Sequence, residues 1–212
     1  MFEEPEIAAL PLRDRKRVLT RQSILAAAER LFEERGFDSV TVAEIADAAN
    51  VSVKTLFVYF RSKEDLVFTD SWLIDLVLAA LRQRPAGTPH GQAVADAVMD
   101  AVRGGGQSVA EGIEGYHRGF AGSAALRSRL LRMWAEYEDL IAEYLAGEAG
   151  GPATASMRLQ AIQLTGLLRA LTSPEIRAMI AGLDAEEALD AVGSWLHAAA
   201  AAVDAAAPAP EA

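Results

Sequence analysis

The chain has 212 residues, a formal net charge of −10 at pH 7 and no cysteine, and about half of its residues are apolar. This length suffices for one or two domains with a real core, and the lack of cysteine excludes disulfides, a thiolate metal site and a cysteine nucleophile. Alanine, leucine, glutamate and arginine dominate while alternating strand patterns are scarce, which predicts an all-α fold. Without an apolar signal region or a membrane-length apolar run, we expect a soluble, cytoplasmic protein with no membrane partner.

The first predicted helix runs from Arg21 to Arg35. Its apolar residues lie on one stripe, which consists of Ile24, Leu25, Ala28, Leu31 and Phe32. Gly36 follows in the position that commonly ends a helix, because glycine adopts the required backbone conformation at little cost. This pattern predicts an amphipathic helix that packs one face on the elements after it.

Residues 41–63 contain two short helical patterns separated by a tight turn. Thr41 with Glu44 three residues later predicts a capping box, and Ser52 opens a second helix. Asn50, between them, is one of the few non-glycine residues that tolerates a left-handed corner. A helix, a turn of three or four residues and a second helix form the helix-turn-helix unit.

The two helical patterns also predict which side chains face inward. The apolar set expected inside comprises Ile45, Ala46, Val51, Leu56 and Phe60, and the set expected outside comprises Val53, Lys54, Phe57 and Arg61. Such an outward face suits the DNA major groove, because lysine donates to guanine and apolar groups contact the thymine methyl. A helical hairpin inside another all-α core, with Phe57 packed, is an equally good interpretation of this spacing alone.

The segments on either side separate these interpretations. Residues 21–68 resemble the DNA-binding domain of the TetR (tetracycline-repressor-type) family of transcriptional regulators. The similar segments are Ile24 to Ala28, Leu31-Phe32, Gly36-Phe37, Thr41 to Ala46, Val51-Ser52, Thr55 to Phe60 and Ser62 to Leu66. Two positions differ from the usual pattern, since Asn50 stands where glycine is common and Phe57 where tyrosine is common.

The resemblance implies a three-helix helix-turn-helix domain, which we place at residues 13–65, and a set of DNA-binding residues within it. Val53, Lys54 and Phe57 are the base-contacting candidates. The phosphate-contacting candidates, at matching family positions, are Thr41, Thr55, Tyr59 and Lys63. Because the natural target of a symmetric protein is symmetric, the expected partner is double-stranded DNA with a palindromic operator.

Charge along the chain agrees with this placement. Residues 13–65 carry one more basic than acidic residue, so the acidic surplus lies elsewhere. Basic residues concentrate at Arg13, Arg15, Lys16, Arg17 and Arg21. This run could be an arm or a helix start that contacts phosphates or enters a minor groove, or a solvated tail that contacts nothing in particular.

Residues 66–205 are predicted to form a helical ligand-binding and dimerisation domain, followed by a disordered tail at 206–212. Ser62 with Asp65 opens a long helix near Lys63, which the segment 84–91, rich in proline and glycine, ends. Further helices are expected at roughly 90–103, 107–120, 123–147, 153–172 and 184–204. The glycine triplet after the first of these lacks the Lys-Ser/Thr of a phosphate loop and predicts a helix stop.

The last two long helices are predicted to form a homodimer. Apolar stripes run along both, with Met157, Ala161, Leu164, Leu168 and Leu171 on one and Leu189, Val192, Trp195, Leu196 and Ala199 on the other. In the resembled family two long C-terminal helices form the dimer, which implies an isologous four-helix interface here. The alternative is that both stripes only close the core of one subunit.

No pattern for catalysis, a cofactor or a metal is visible. His90, His117 and His197 lie far apart in sequence, without partners at ligand or triad spacing. His-Glu-x-x-His, Gly-x-Ser-x-Gly and dinucleotide fingerprints are all missing. We therefore expect a protein that is not an enzyme and has no cofactor, no catalytic residues and no metal site.

The resemblance also implies a small-molecule cavity inside the C-terminal bundle. From their helical positions the candidate lining residues are Tyr116, Phe120, Met133, Trp134, Tyr137, Leu164 and Leu167. Their apolar and aromatic character indicates a lipophilic effector. The sequence thus predicts a homodimeric repressor that a ligand releases from its operator. The alternative is a helical ligand-binding or catalytic protein that retains the N-terminal domain only structurally.

Overall fold

The computed structural model describes residues 11–68, 72–104 and 123–206. These residues form α-helices and short 3₁₀ turns without any β-strand, which confirms the all-α prediction. In chain order the helices are α1 (Leu12–Arg35), α2 (Val42–Ala48), α3 (Val53–Tyr59), α4 (Trp72–Gln83), α5 (His90–Gly104), α6 (Ala124–Ala149), α7 (Ala155–Leu171), α8 (Pro174–Ile180) and α9 (Ala185–Ala206). The chain divides into two compact units between residues 70 and 71.

In the N-terminal unit α1 packs on α2, and α2 packs on α3. The core between them contains Ile24, Ala28, Val40, Ile45 and Leu56, all of which are fully or almost fully buried. Burial of an isoleucine or leucine side chain contributes about 1.5–3 kcal/mol, so these few residues hold the three helices together. The predicted inward set of the helix-turn-helix lies in or against this core.

Helix α1 begins nine residues earlier than predicted, at Leu12, directly after Pro11. Proline is tolerated at a helix start because its missing N–H would have no intrahelical partner there. The basic run is therefore the first half of a helix and not an extended arm. Arg13, Lys16 and Arg17 are exposed on it, whereas the Arg21 guanidinium lies 5.4 Å from the centroid of the Phe60 ring.

The long helix predicted from Lys63 is wrong. Ser62 Oγ accepts the backbone N–H of Asp65 at 3.3 Å as expected, but only a 3₁₀ turn, Glu64–Leu66, follows. Residues 67 and 68 are not helical. Leu66 is buried in the N-terminal core, whereas α4 packs in the C-terminal core, so the chain leaves one core before the next helix forms.

The C-terminal unit contains α4 to α9. Helix α9 packs on α5, α7 and α8, while α6 packs on α7 and α4 packs on α5. Its core includes Leu81, Met99, Ile141, Leu164 and Leu196. Helix α8 was not predicted, although Ser173 caps it and Pro174 is its first residue, a recognisable start signal. The helix predicted at roughly 107–120 and residues 207–212 of the predicted tail lie outside the described residues.

The two apolar stripes expected at a dimer interface lie in or against the core of the same subunit. Ala161, Leu164, Leu168, Val192 and Leu196 are buried there, and Met157, Leu171, Leu189, Trp195 and Ala199 pack half-buried around them. Because the first five of these residues are buried in their own subunit, they are not available for contact with a second chain. The outward face of α7 carries other apolar residues, Leu159 and Ile162.

Within the described ranges, no helix combines the length and the hydropathy that a bilayer span requires.

Candidate nucleic-acid interface

A capping box fixes the start of α2. Glu44 N donates to Thr41 Oγ1 at 3.3 Å, and Thr41 N donates to Glu44 Oε2 at 2.8 Å. Arg35 Nη1 donates to the other carboxylate oxygen at 2.7 Å. The Thr41 backbone N–H, the Thr41 hydroxyl and Arg35 together lower the pKa of Glu44 to about 2. The Thr41 hydroxyl also donates to Glu44 Oε2 at 2.7 Å, so donating to a phosphate instead would require that hydrogen bond to break.

The corner between α2 and α3 has the left-handed residue that the sequence predicts. Asn50 has φ 54° and is the single non-glycine residue with positive φ among those described. Val51 N donates to Ala46 O at 2.9 Å, which closes the hydrogen-bonded loop typical of a helix end at such a residue. The angle between the two helices is therefore set by backbone hydrogen bonds.

Helix α3 is anchored at both ends. Ser52 Oγ accepts the Thr55 N–H at 3.0 Å and lies 2.8 Å from Thr55 Oγ1. Leu56 is fully buried, and Phe60, which ends the helix, is also buried in the N-terminal core. Of the predicted phosphate contacts, Thr55 is half-buried beside its cap and Tyr59 is half-buried against the core.

The opposite face of α3 is exposed. It carries the predicted outward residues Val53, Lys54 and Phe57, with Arg61 exposed just after the helix. Val58 is also exposed there, although it was not among the predicted residues. The available signal was its spacing, because Val58 lies four residues after Lys54 and so shares its side of the helix.

Lys63, a predicted phosphate contact, also makes contacts inside the N-terminal unit that the sequence did not predict. Its Nζ donates to Phe37 O at 2.6 Å and to Val40 O at 2.8 Å, and lies 4.0 Å from the centroid of the Phe37 ring. An ammonium group has three donors, so at most one remains for DNA. Lys63 therefore links the segment after α3 to the segment before α2 by hydrogen bonds.

In the C-terminal unit the described ligand candidates lie in or against one core cluster. Trp134 and Tyr137 form an edge-to-face pair with ring centroids 5.5 Å apart, and burial raises the pKa of Tyr137. Leu164 and Leu167 are buried in the cluster and Met133 packs against it, whereas Tyr116 and Phe120 lie outside the described residues. The buried Thr165 hydroxyl has no hydrogen-bond partner among the described atoms.

The described histidines serve as links between helices. His90 Nε2 lies 2.8 Å from a Glu148 oxygen, and His197 Nε2 lies 2.9 Å from an Asp96 oxygen. Across the part of the chain that the structure describes, no group of three or more histidine, aspartate or glutamate residues could hold a metal ion. His117 lies outside that part.

Comparison with known proteins supports the architecture. The family model of bacterial regulatory proteins, tetR family, matches residues 24–69. The chain is 37% identical over 138 residues to the HTH-type transcriptional regulator TcmR of Streptomyces glaucescens, a match that covers 63% of this chain and 56% of TcmR. It is 43% identical over 53 residues to the HTH-type transcriptional regulator AcrR of Shigella flexneri, covering 25% of this chain and 24% of AcrR.

These matches span about half, or less, of the curated relatives' own length. A crystal structure of a Pseudomonas aeruginosa PAO1 protein described as a transcriptional regulator shares the fold, with a TM-score of 0.50 and 21% identity over 98% of this chain and 100% of the other. The named relatives are regulators and not enzymes. The helix-turn-helix geometry of residues 41–60 and the family match over the same segment lead to one conclusion: residues 24–69 form the N-terminal helix-turn-helix domain that characterises bacterial regulatory proteins of the tetR family.

Proposed function

We propose that this protein is a homodimeric transcriptional repressor that binds a palindromic operator and is released from it by a small lipophilic ligand. The observation that carries the proposal is the outward face of α3. Val53, Lys54, Phe57 and Val58 are exposed on a helix that the buried Leu56 and the corner at Asn50 hold in place. Exposure of these apolar side chains to water is unfavourable, whereas the DNA major groove offers both apolar and hydrogen-bonding contacts. A protein with this function acts where the DNA is, which supports a cytoplasmic location.

Dimer formation is part of the proposal because one short helix contacts only one half-site. Helices α7 and α9 pack on each other within one subunit. We place the interface on the faces of these two helices that point away from the subunit core. Leu159 and Ile162 are 53% and 43% exposed on α7. On α9, Ser194 and Ala198 are small, exposed side chains that permit a second pair of helices to approach closely.

The proposed effector site is the cluster around Trp134 and Tyr137. An edge-to-face aromatic pair offers apolar surface to a lipophilic ligand. By linkage, such a ligand releases DNA only if it binds the DNA-free conformation more tightly.

Binding of the full chain to fragments of its own upstream DNA tests this proposal. We expect a protected sequence with two-fold symmetry whose half-sites lie about one helical turn, or a multiple of it, apart. Lipophilic compounds that raise the melting temperature should also weaken this complex. Failure to bind any fragment, together with ligand binding or turnover, would instead support a protein that retains the N-terminal unit only structurally.

A further inference from the structure

The exposed face of α3 is mostly apolar. Phe57 is 49% and Val58 is 73% exposed, and Val53 is exposed beside them, so three of the seven helical residues leave apolar surface in water. None of the three belongs to the buried core of the N-terminal unit. The fold does not need these side chains where they are, and a helix surface of ordinary solvated character would carry polar residues instead.

The buried Leu56 fixes which residues lie farthest from the core. Each helical residue turns the side-chain direction by about 100°, so Lys54 and Val58 both point nearly opposite to Leu56, one turn apart. Phe57 lies beside Val58 on the same exposed side. The two outermost positions of the helix are thus one cation and one aliphatic group, with an aromatic ring next to the aliphatic group.

We propose that Val58, with Phe57 beside it, reads the C5-methyl groups of thymines in each half-site, next to a guanine read by Lys54. In the major groove thymine is the base that presents a methyl group, and apolar side chains recognise it by burying it. DNA as the binding partner agrees with the charge of this region, since residues 13–65 have a small basic surplus within a chain of net charge −10. Val58 is thereby a specificity-determining residue.

This inference rests on the proposed operator binding and adds the chemistry of the half-site to it. Replacing one thymine by deoxyuridine removes one methyl group and leaves the hydrogen-bonding edge of the base unchanged. Loss of a buried methyl group weakens binding by about fourfold, and a symmetric pair of half-sites doubles the effect on the logarithmic scale. Base substitutions that alter the hydrogen-bonding edge would not isolate this contact.

The test uses the full-length protein and an operator taken from its upstream DNA, with deoxyuridine placed at each thymine in turn. Wild-type protein should lose affinity at one or two thymines per half-site. Val58→Ala should bind the thymine operator about as weakly as wild type binds the uracil operator, and it should be indifferent to uracil at that position. Circular dichroism should show a native helix content, because Val58 is exposed.

Two controls make the outcome specific. Leu131→Ala removes a largely exposed aliphatic side chain from α6, and this variant should bind both operators as wild type does. Lys54→Ala should bind more weakly but stay sensitive to uracil. If wild-type protein binds thymine and uracil operators equally, methyl recognition is wrong while operator binding stands. If it binds no upstream DNA, the proposed function and this inference both fail.

Discussion

The starts of α2 and α3 in the N-terminal unit and the start of α5 in the C-terminal unit are held by hydrogen bonds of very different sequence separation. In the N-terminal unit the helix starts are held by partners three residues apart, Thr41 with Glu44 and Ser52 with Thr55. In the C-terminal unit the first turn of α5 is capped from the end of α9, where Asp204 Oδ1 accepts the Gly91 N–H at 2.7 Å. The first kind of bond is visible in a local sequence pattern, whereas the second requires the fold.

Leu168 lies on the core face of α7, whereas Ile162 lies on its outward face. Leu168 is 3% exposed, so Leu168→Glu would bury an unpaired carboxylate in the core and should cost more than about 4 kcal/mol of unfolding free energy. Ile162→Glu should leave the subunit folded but convert the dimer to a monomer. Urea unfolding and sedimentation measure the two effects.

A folded, monomeric Leu168→Glu variant would contradict the assignment of Leu168 to the core. A dimeric Ile162→Glu variant would contradict the interface proposed on the outward face of α7.

Gly91 is the position where the long-range cap of α5 leaves no room for a side chain. A Cβ there would lie 2.8 Å from Ala200 O and 2.9 Å from both carboxylate oxygens of Asp204. Gly91→Ala should therefore force α5 and α9 apart and destabilise the unit by about 1–3 kcal/mol. Thermal unfolding measures this change.

Gly147→Ala is the matched control, because a Cβ at Gly147, within α6, meets nothing within 4 Å. It should stabilise the helix by up to about 1 kcal/mol. If both alanine variants shifted the melting temperature equally, the close approach at Gly91 would not be what requires glycine.

Lys63 tests two long-range hydrogen bonds of the N-terminal unit. Lys63→Met keeps the aliphatic stem but leaves Phe37 O and Val40 O without the ammonium group. We expect a loss of about 1–2 kcal/mol in the stability of the N-terminal unit, from the lost hydrogen bonds and cation–π contact. Hydrogen exchange of amides in α2 and α3 should report it.

The exposed Lys54→Met is the control for this substitution, and its stability should stay within about 0.5 kcal/mol of wild type. Lys63→Met should also leave the slope of DNA affinity against salt concentration unchanged, since its charge serves the fold. A flatter slope with unchanged stability would restore the phosphate contact that the sequence predicted.

These examples show what could be predicted from the sequence. The capping residues Thr41 and Ser52 and the left-handed Asn50 were predicted correctly, because each depends on neighbours within four residues. The hydrogen bonds of Lys63 could not be predicted, because its partners lie 23 and 26 residues away. A continuous helical pattern likewise could not reveal that Leu66 belongs to the N-terminal core.

In the C-terminal unit the helices at 90–104, 124–149, 155–171 and 185–206 agree closely with their predicted ranges, since 3.6-residue periodicity is strong over long segments. Their facing partners could not be predicted. Leu164 and Ile162 are both apolar, and periodicity does not show which of two apolar faces packs on the subunit's own core. That choice depends on α6 and α9, which lie on either side of α7 in sequence.

The smallest expected effect concerns the His197 contact between α9 and α5. Its Nε2 lies 2.9 Å from Asp96 Oδ1 and its Nδ1 lies 2.8 Å from Gly193 O, so both nitrogens face acceptors. The Asp96 hydrogen bond, followed by the Gly193 carbonyl, raises the pKa of His197 above its usual 6.5. The charged form is favoured in the folded state, so this stabilisation is present below pH 6.5 and is lost as the pH rises through the folded-state pKa.

Because His197 is exposed to solvent, the stabilisation should not exceed about 1 kcal/mol. Asp96→Asn should remove this stabilisation. The variant should therefore melt below wild type at mildly acidic pH and at the same temperature as wild type at mildly alkaline pH. A variant whose deficit grew at alkaline pH would contradict the direction of the pKa shift.

The most direct test of the central claim, that the outward face of α3 reads DNA, is the base preference of Lys54→Ala. Lys54 is exposed opposite the buried Leu56, so its removal should leave the fold intact. Titrations of operator variants at two salt concentrations should show a loss of about 1–3 kcal/mol per half-site and relaxed preference at one base pair. Unchanged affinity together with unchanged base preference would contradict the placement of α3 in the groove.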